Sequence, residues 1–245
     1  MNLVIDIGNT TGKYFCFEGE ELLAHGSEEG HALKFLAHIG QDAAAAIVST
    51  VVDLAPEAEA RLRAFPCPVL RFTAATPTPL TNRYRTPATL GTDRLAAAVG
   101  AWAQQPHRPL LVIDAGSCIT FDFVTADGAY VGGNIAPGLH ARLQAIGDYF
   151  PRLPLVSAEG DTPELGYDTE TAIRAGVIQG MKHEIEGYIA AFRKKYADLL
   201  VFLTGGDEFR LDDSVKSCIF ADHFIVPRGL NHILCHHLSM TKASL

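Results

Sequence analysis

The sequence predicts an α/β protein made of two related halves around a cleft, and three observations point there. An apolar run ending in Asp-x-Gly occurs twice, at residues 3–8 and again at 110–116, about half a chain apart. Each copy opens a meander of short β-prone segments, which gives way to alternating helical and strand patterns. A polar stretch at 104–109 that carries two prolines lies between the copies and divides the chain into 1–106 and 107–245.

The elements follow in order. Residues 3–7, 13–17 and 21–24 read as three short strands, and 44–51 as a buried one. A helix is predicted over 56–65, with Pro56 at its first position, where a missing N–H costs nothing. A short strand at 68–72 follows, then a Thr- and Pro-rich loop over 73–91. Thr92 is the expected N-cap of the next helix, whose Leu95, Ala98, Val99 and Trp102 fall on one face. The second half repeats the opening with strands near 110–114, 118–125 and 129–135 and a helix over 139–149. A long helix over 169–196 carries Ile173, Val177, Met181, Ile185, Ile189 and Phe192 at helical spacing. Gly176, Gly180 and Gly187 interrupt it, each at a cost of ~1 kcal/mol relative to Ala. Close approach of another helix is the usual reason to keep them. A strand over 199–204 ends in Gly205-Gly206-Asp207, and residues 225–228 lead into a last helix.

Composition narrows the function classes. With 245 residues, 48% hydrophobic and 20% charged, the chain can bury a real core. A net charge of −8 argues against a nucleic-acid or anionic-membrane surface. No run approaches the ~18 apolar residues of a membrane span. Asp6 inside the first apolar run, with no basic segment before it, argues against a signal peptide. The five cysteines (Cys16, Cys67, Cys118, Cys218, Cys235) are odd in number, scattered and without a Cys-x-x-Cys pair. That predicts a reducing, cytoplasmic setting.

The chemistry gathers on the turns. In the first copy, glycines let backbone N–H groups approach phosphate oxygens, and Asp6 suits a hydrated Mg²⁺. Lys13, opening the next strand, reaches back as a point charge. Asp6 also reads as a plain turn residue and Lys13 as a surface lysine. The segment 82–94 is dense in polar function. Asp93 falls in the first turn of a helix, as a helix-start anion or as a base accepting a hydroxyl proton. Arg94 would pair with a substrate carboxylate or with a surface acid. Gly205-Gly206-Asp207 offers backbone for a nucleoside, or is a strand-to-helix turn. His232 and His236 have metal-ligand spacing without a third ligand.

Taken together, Asp6-Ile-Gly-Asn-Thr-x-x-Lys13, Tyr84-x-x-Pro87-x-x-x-Gly91-x-Asp93-Arg94, Asp114-Ala-Gly-Ser-x-x-Thr120, Gly132-Gly-x-Ile-x-Pro137-Gly138, Thr169-x-x-Ala172-Ile-x-x-Gly176 and Gly205-Gly206-Asp207 resemble type III pantothenate kinase. That family belongs to the acetate/sugar kinase, heat-shock chaperone and actin superfamily. The resemblance runs in order over residues 6–207. It implies two duplicated ribonuclease-H-like halves of the actin-like ATPase superfamily around a central cleft, and ATP-dependent phosphorylation of pantothenate to 4'-phosphopantothenate, the first step toward coenzyme A. It implies that Asp6, Ile7, Gly8, Asn9, Thr10, Thr11, Gly12 and Lys13 form the first phosphate loop, with Asp6 holding Mg²⁺ through water. Gly116, Ser117, Gly205 and Gly206 would also contact ATP. Tyr84, Gly91, Thr92, Asp93 and Arg94 would contact pantothenate, with Asp93 as proton acceptor. Asp114 would hold a monovalent cation, K⁺ or NH₄⁺. Thr169 would reach the pantothenate of the partner subunit in a homodimer. The second loop reads Asp-Ala-Gly-Ser-Cys where the family usually has Asp-Ala-Gly-Thr-Ala; serine keeps the hydroxyl. Three rivals stand beside this reading: another enzyme of the superfamily, such as a sugar or acetate kinase or an exopolyphosphatase; a non-enzymatic regulator; and an actin-like filament or chaperone subunit.

Overall fold

Asp6 and Asp114 end up at equivalent places in two separate sheets. The computed structural model describes residues 1–207 and 219–243, so Cys218 lies outside the described residues. By its contacts the chain forms two compact units. One comprises 1–106, 128–130 and the segment from Phe224 on; the other comprises 107–127 and 131–223.

The first unit holds a five-stranded sheet of order β3-β2-β1-β4-β5. Its strands are β1 (Asn2–Ile7), β2 (Thr11–Glu18), β3 (Glu21–Glu29), β4 (Ala45–Thr50) and β5 (Val69–Arg71). β1 is antiparallel to β2 and parallel to β4. Leu3, Ile5 and Ile7, alternating along β1, share a core with Ala46 and Val48 of β4 and with Ala58 and Leu62 of α1 (Pro56–Arg63). The 73–91 stretch is not all loop. β6 (Thr81–Asn82) pairs in parallel with Ala129 and Tyr130, and a 3-10 turn spans Pro87–Thr89.

Helix α2 (Thr92–Gln104) departs from expectation twice. Its N-cap is Gly91, not Thr92. Thr92 spends its hydroxyl on Ser49 Oγ, 3.0 Å away, instead of on the helix's own N–H groups. Residues 94–101 are also all buried, not one face alone. The cause is the last helix, α5 (Ile225–Ala243), whose backbone meets α2 through Gly100 and Gly229. A Cβ on Gly100 would collide with the carbonyl of Ile225, and one on Gly229 with that of Ala96. α5 packs on β1 and β4 as well. The C-terminal helix therefore joins the first unit, whereas division at 106/107 placed it with the second half.

The second unit has β7 (Leu110–Ala115), β8 (Cys118–Val124), β9 (Ala129–Pro137, its first two residues in the first unit), β10 (Leu200–Gly205) and β11 (Ile219–Ala221), in the order β11-β10-β7-β8-β9. β7 is antiparallel to β8 and parallel to β10, which is parallel to β11. Helices α3 (Leu139–Tyr149) and α4 (Thr169–Lys195) cover it. Ile173, Val177, Met181, Ile185 and Ile189 of α4 join Leu111, Ile113 and Val201 of the strands in one core, as the helical spacing requires.

Candidate active site

In the first unit, β1 and β2 are closed by a turn in which the Gly8 N–H donates to the Thr11 carbonyl at 3.1 Å. Asn9 and Thr10 stand exposed at its tip. Register sets Lys13 directly opposite Asp6 on one side and Ser49 beside it on the other, so the three side chains share one face of the sheet. Burial pushes the Asp6 carboxyl up to about 6; Lys13 pulls it down, and the charge of Asp93 pushes it further up. Asp93 is therefore within electrostatic reach of Asp6. The route is visible: Ser49, one strand over from Asp6, ties Thr92 at the start of α2, and Asp93 follows.

Asp93 is exposed, and its Oδ1 accepts a hydrogen bond from the Arg94 N–H at 2.8 Å. Gly91 gives this carboxylate room, since a Cβ there would stand 2.5 Å from Oδ1. Arg94 itself is buried at 6% exposure. Tyr84 lies half-buried, its ring 6.1 Å from that of Tyr130, and its N–H donates to Asn82 Oδ1 at 2.9 Å. So Asp6–Lys13, Tyr84 and Gly91–Arg94 are all carried by one unit.

In the second unit, the turn after β7 is one residue shorter. The Gly116 N–H donates to the Cys118 carbonyl at 3.0 Å, leaving Ser117 exposed. The first turn of α3 closes on it: the Gly138 N–H donates to the Ser117 carbonyl at 3.2 Å, and a Cβ at Gly138 would collide with the Gly116 carbonyl. Asp114 has Thr120 opposite it and Thr204 beside it. Two hydroxyls flank this carboxylate where a lysine and a serine flank Asp6. An all-oxygen set of one carboxylate and hydroxyls fits a hard cation. Gly205 ends β10 at φ +104, against the Ala115 carbonyl, where a Cβ would collide. Gly206 is open, and the Asp207 N–H donates to the same Ala115 carbonyl at 3.0 Å.

Thr169 occupies the first position of α4, exposed. Asp168 caps the helix, accepting from the Thr171 N–H at 2.8 Å, and this bond holds its carboxyl below the usual range. Arg174, nearly buried, pins the preceding loop through the carbonyls of Ser157 (2.9 Å) and Asp161 (3.0 Å). Ser49 and Thr204, beside Asp6 and Asp114, are positions that the sequence reading does not reach. Ser49 and Thr204 become visible only through strand register, which the sequence does not state.

Comparison with known proteins decides the family. The type III pantothenate kinase model matches residues 2–191. The chain belongs to the type III pantothenate kinase family. A type III pantothenate kinase of Bacteroides fragilis is 52% identical over 236 residues, covering 96% of this chain and 97% of that protein. Among solved structures, a proposed Baf family transcriptional activator from Campylobacter jejuni superimposes with a TM-score of 0.63 at 21% identity, over 97% of this chain and 99% of the other. A proposed N-acetylmannosamine kinase from Listeria monocytogenes gives 0.55 at 15% identity, covering 98% and 99%. These structures share the fold, which is that of the actin-like ATPases and sugar kinases. Among the described residues no helix is long and apolar enough to cross a membrane.

Proposed function

We propose that this chain transfers the terminal phosphoryl group of ATP to pantothenate, giving 4'-phosphopantothenate, the first step toward coenzyme A, in the cytoplasm. The observation that carries the mechanism is the tie from Ser49, beside Asp6, to Thr92 at the start of the helix that carries Asp93. Asp93 sits exposed in the first turn of α2. It accepts the proton of the pantothenate hydroxyl as the oxygen attacks phosphorus. Lys13 and the N–H groups of the 8–12 turn neutralise the charge that spreads over the phosphoryl oxygens. Tyr84 and Gly91 to Arg94 position the substrate.

Asp6, half-buried on its strand end, is suited to Mg²⁺ through water, and Asp114 with Thr120 and Thr204 to K⁺ or NH₄⁺. Such cations supply countercharge for the phosphates. Gly116 and Ser117 take phosphate oxygens, and Gly205-Gly206 the nucleoside. A homodimer completes the reading. Gly176, Gly180 and Gly187 face outward on α4, and among the described residues nothing lies within packing distance of a side chain placed there. A second copy on that face would let Thr169 close the neighbour's pocket. Purified protein assayed for ATP consumption with pantothenate, glucose, acetate and polyphosphate tests the activity: only pantothenate should support turnover, and equal rates with another acceptor would end this reading. Light scattering at assay concentration tests the dimer; a fully active 26.4 kDa monomer would end the shared pocket.

A further inference from the structure

Arg142, at the start of α3, grips one peptide group from behind. Its Nε donates to the Pro137 carbonyl at 2.7 Å, and its Nη2 donates to Glu184 Oε2 of α4 at 2.6 Å. The two charged side chains are 24% and 25% exposed, so solvent screens them less than a surface pair. The gripped peptide is the one between Pro137 and Gly138, and its N–H donates to the Ser117 carbonyl at 3.2 Å. The carbonyl and N–H of a trans peptide point opposite ways, so this single plane stands between Arg142 and the turn after β7. The contact is tight, since a Cβ on Gly138 would collide with the Gly116 carbonyl. A second link ties α4 to β9: Asn134 Nδ2 donates to Tyr188 Oη at 3.0 Å, one helical turn after Glu184, and the Tyr188 ring stacks on Phe121 of β8.

We infer that Arg142, braced by Glu184, is a positioning residue for the 116–118 turn. It fixes the Pro137–Gly138 peptide and, through the Ser117 carbonyl, the direction in which the Ser117–Cys118 peptide points its N–H. This rests on the proposed placement of Ser117 at the ATP phosphates. A planar guanidinium holds two acceptors at a fixed angle, where a lysine ammonium is a point charge. A donor on the Pro137 carbonyl also polarises the peptide and strengthens the Gly138 N–H. Arg142 acts through this peptide without touching the nucleotide, so its removal should alter ATP binding and spare pantothenate.

Steady-state kinetics, with calorimetric binding of a non-hydrolysable ATP analogue to the whole protein, tests this. Arg142→Met keeps an apolar stem and removes both donors. It should raise the ATP KM and the analogue Kd roughly 3- to 30-fold, with the pantothenate KM unchanged. Glu184→Ala should do the same more weakly, and adding it to Arg142→Met should change nothing further, because Glu184 acts through Arg142. If Arg142→Met does not fold, Arg142→Lys keeps the charge beside Glu184 but cannot hold both acceptors in the same geometry, and should raise the ATP KM alone. A lowered Tm with the ATP KM unmoved would leave an ordinary ion pair and overturn the inference, as would equal rises in both KM values or additive losses in the double variant. Ser117→Asp tests the underlying placement: a carboxylate there should weaken analogue binding more than Arg142→Met does. If Ser117→Asp binds the analogue as the wild type does, the phosphate placement falls and the inference with it. If Ser117→Asp weakens binding and Arg142→Met does not, the positioning role alone falls.

Discussion

The turns that follow β1 and β7 sit on matched scaffolds with different neighbours. In the first unit the row across the sheet reads Lys13, Asp6, Ser49; in the second it reads Thr120, Asp114, Thr204. Each row centres on an aspartate at the end of an apolar strand. The first carries a resident ammonium and, through Ser49 and Thr92, a connection to Asp93. The second has no lysine in the row, only hydroxyls, and a shorter turn closed by the start of α3. On the proposed function, a matched scaffold has separated into a half with its own cation and a half furnished with oxygens for a borrowed one. That proposal puts the chemistry with the first and charge compensation with the second.

The largest effect should come from removing the acid that the first row holds in place. Asp93→Asn should lower kcat by ~10²–10⁴ with the fold intact, the range for loss of a general base. Steady-state kinetics on the folded variant checks it. Retained kcat with a raised pantothenate KM would leave Asp93 as a positioning group and break the division between the halves.

The next effect concerns Asp6 and carries a sign. Its carboxyl is pushed up from 3.8 to about 6, chiefly by burial. A raised folded-state value means this group favours folding below about pH 4, and that contribution is lost as pH rises through 6. Above pH 7 the ionised Asp6 costs the ligand-free protein on the order of 2–3 kcal/mol. Asp6→Asn should therefore raise Tm at pH 8, with a gain that shrinks toward zero near pH 4, while abolishing stabilisation by Mg²⁺-nucleotide. Scanning calorimetry at the two pH values decides. In the wild type, kcat/KM should fall on the acid side of about pH 6.

How much of this was legible in the sequence differs between the two rows and their surroundings. The strands, both turns, α3 and the core stripe of α4 follow from periodicity and turn chemistry, which are local. The partners of Asp6 and Asp114 across parallel strands are not local. Ser49 sits one strand over from Asp6 but 43 residues away in sequence, and Thr204 is 90 residues from Asp114. The burial of α2 on all sides was hidden for the same reason, since it depends on α5 more than a hundred residues later. Thr92 shows the complementary failure: its residue type suits an N-cap, but a tertiary hydrogen bond to Ser49 competes for the hydroxyl and wins.

The rows can be exchanged. Thr120→Lys installs opposite Asp114 the cation that Lys13 provides opposite Asp6. If the second row differs because it borrows its cation, this variant should lose its dependence on K⁺ or NH₄⁺. Its rate in Na⁺-only buffer should match its rate in K⁺ and stay within about tenfold of the wild type in K⁺. Continued K⁺ dependence in the variant, or none in the wild type, would take the cation away from Asp114.

The smallest effect tests the connection that only the first row has. Ser49 is 1% exposed, and its hydroxyl meets Thr92 Oγ1 at 3.0 Å. Ser49→Ala leaves Thr92 without that partner, which should cost about 0.5–1.5 kcal/mol of stability. The start of α2 is still held by the Leu95 N–H to Gly91 carbonyl bond at 3.2 Å and by the packing of α5, so the helix persists and Asp93 shifts rather than leaves. Small displacements of a base reduce turnover more than binding, so kcat should fall a few-fold with the KM for ATP unchanged. Ser49→Thr keeps the hydroxyl and should restore kcat if the pocket tolerates one methyl. Pairing Ser49→Ala with Thr92→Val in a double-mutant cycle isolates the bond: the second substitution should cost little once the first is made. Additive losses would mean that the two hydroxyls act independently and that Asp93 is positioned by α2 alone.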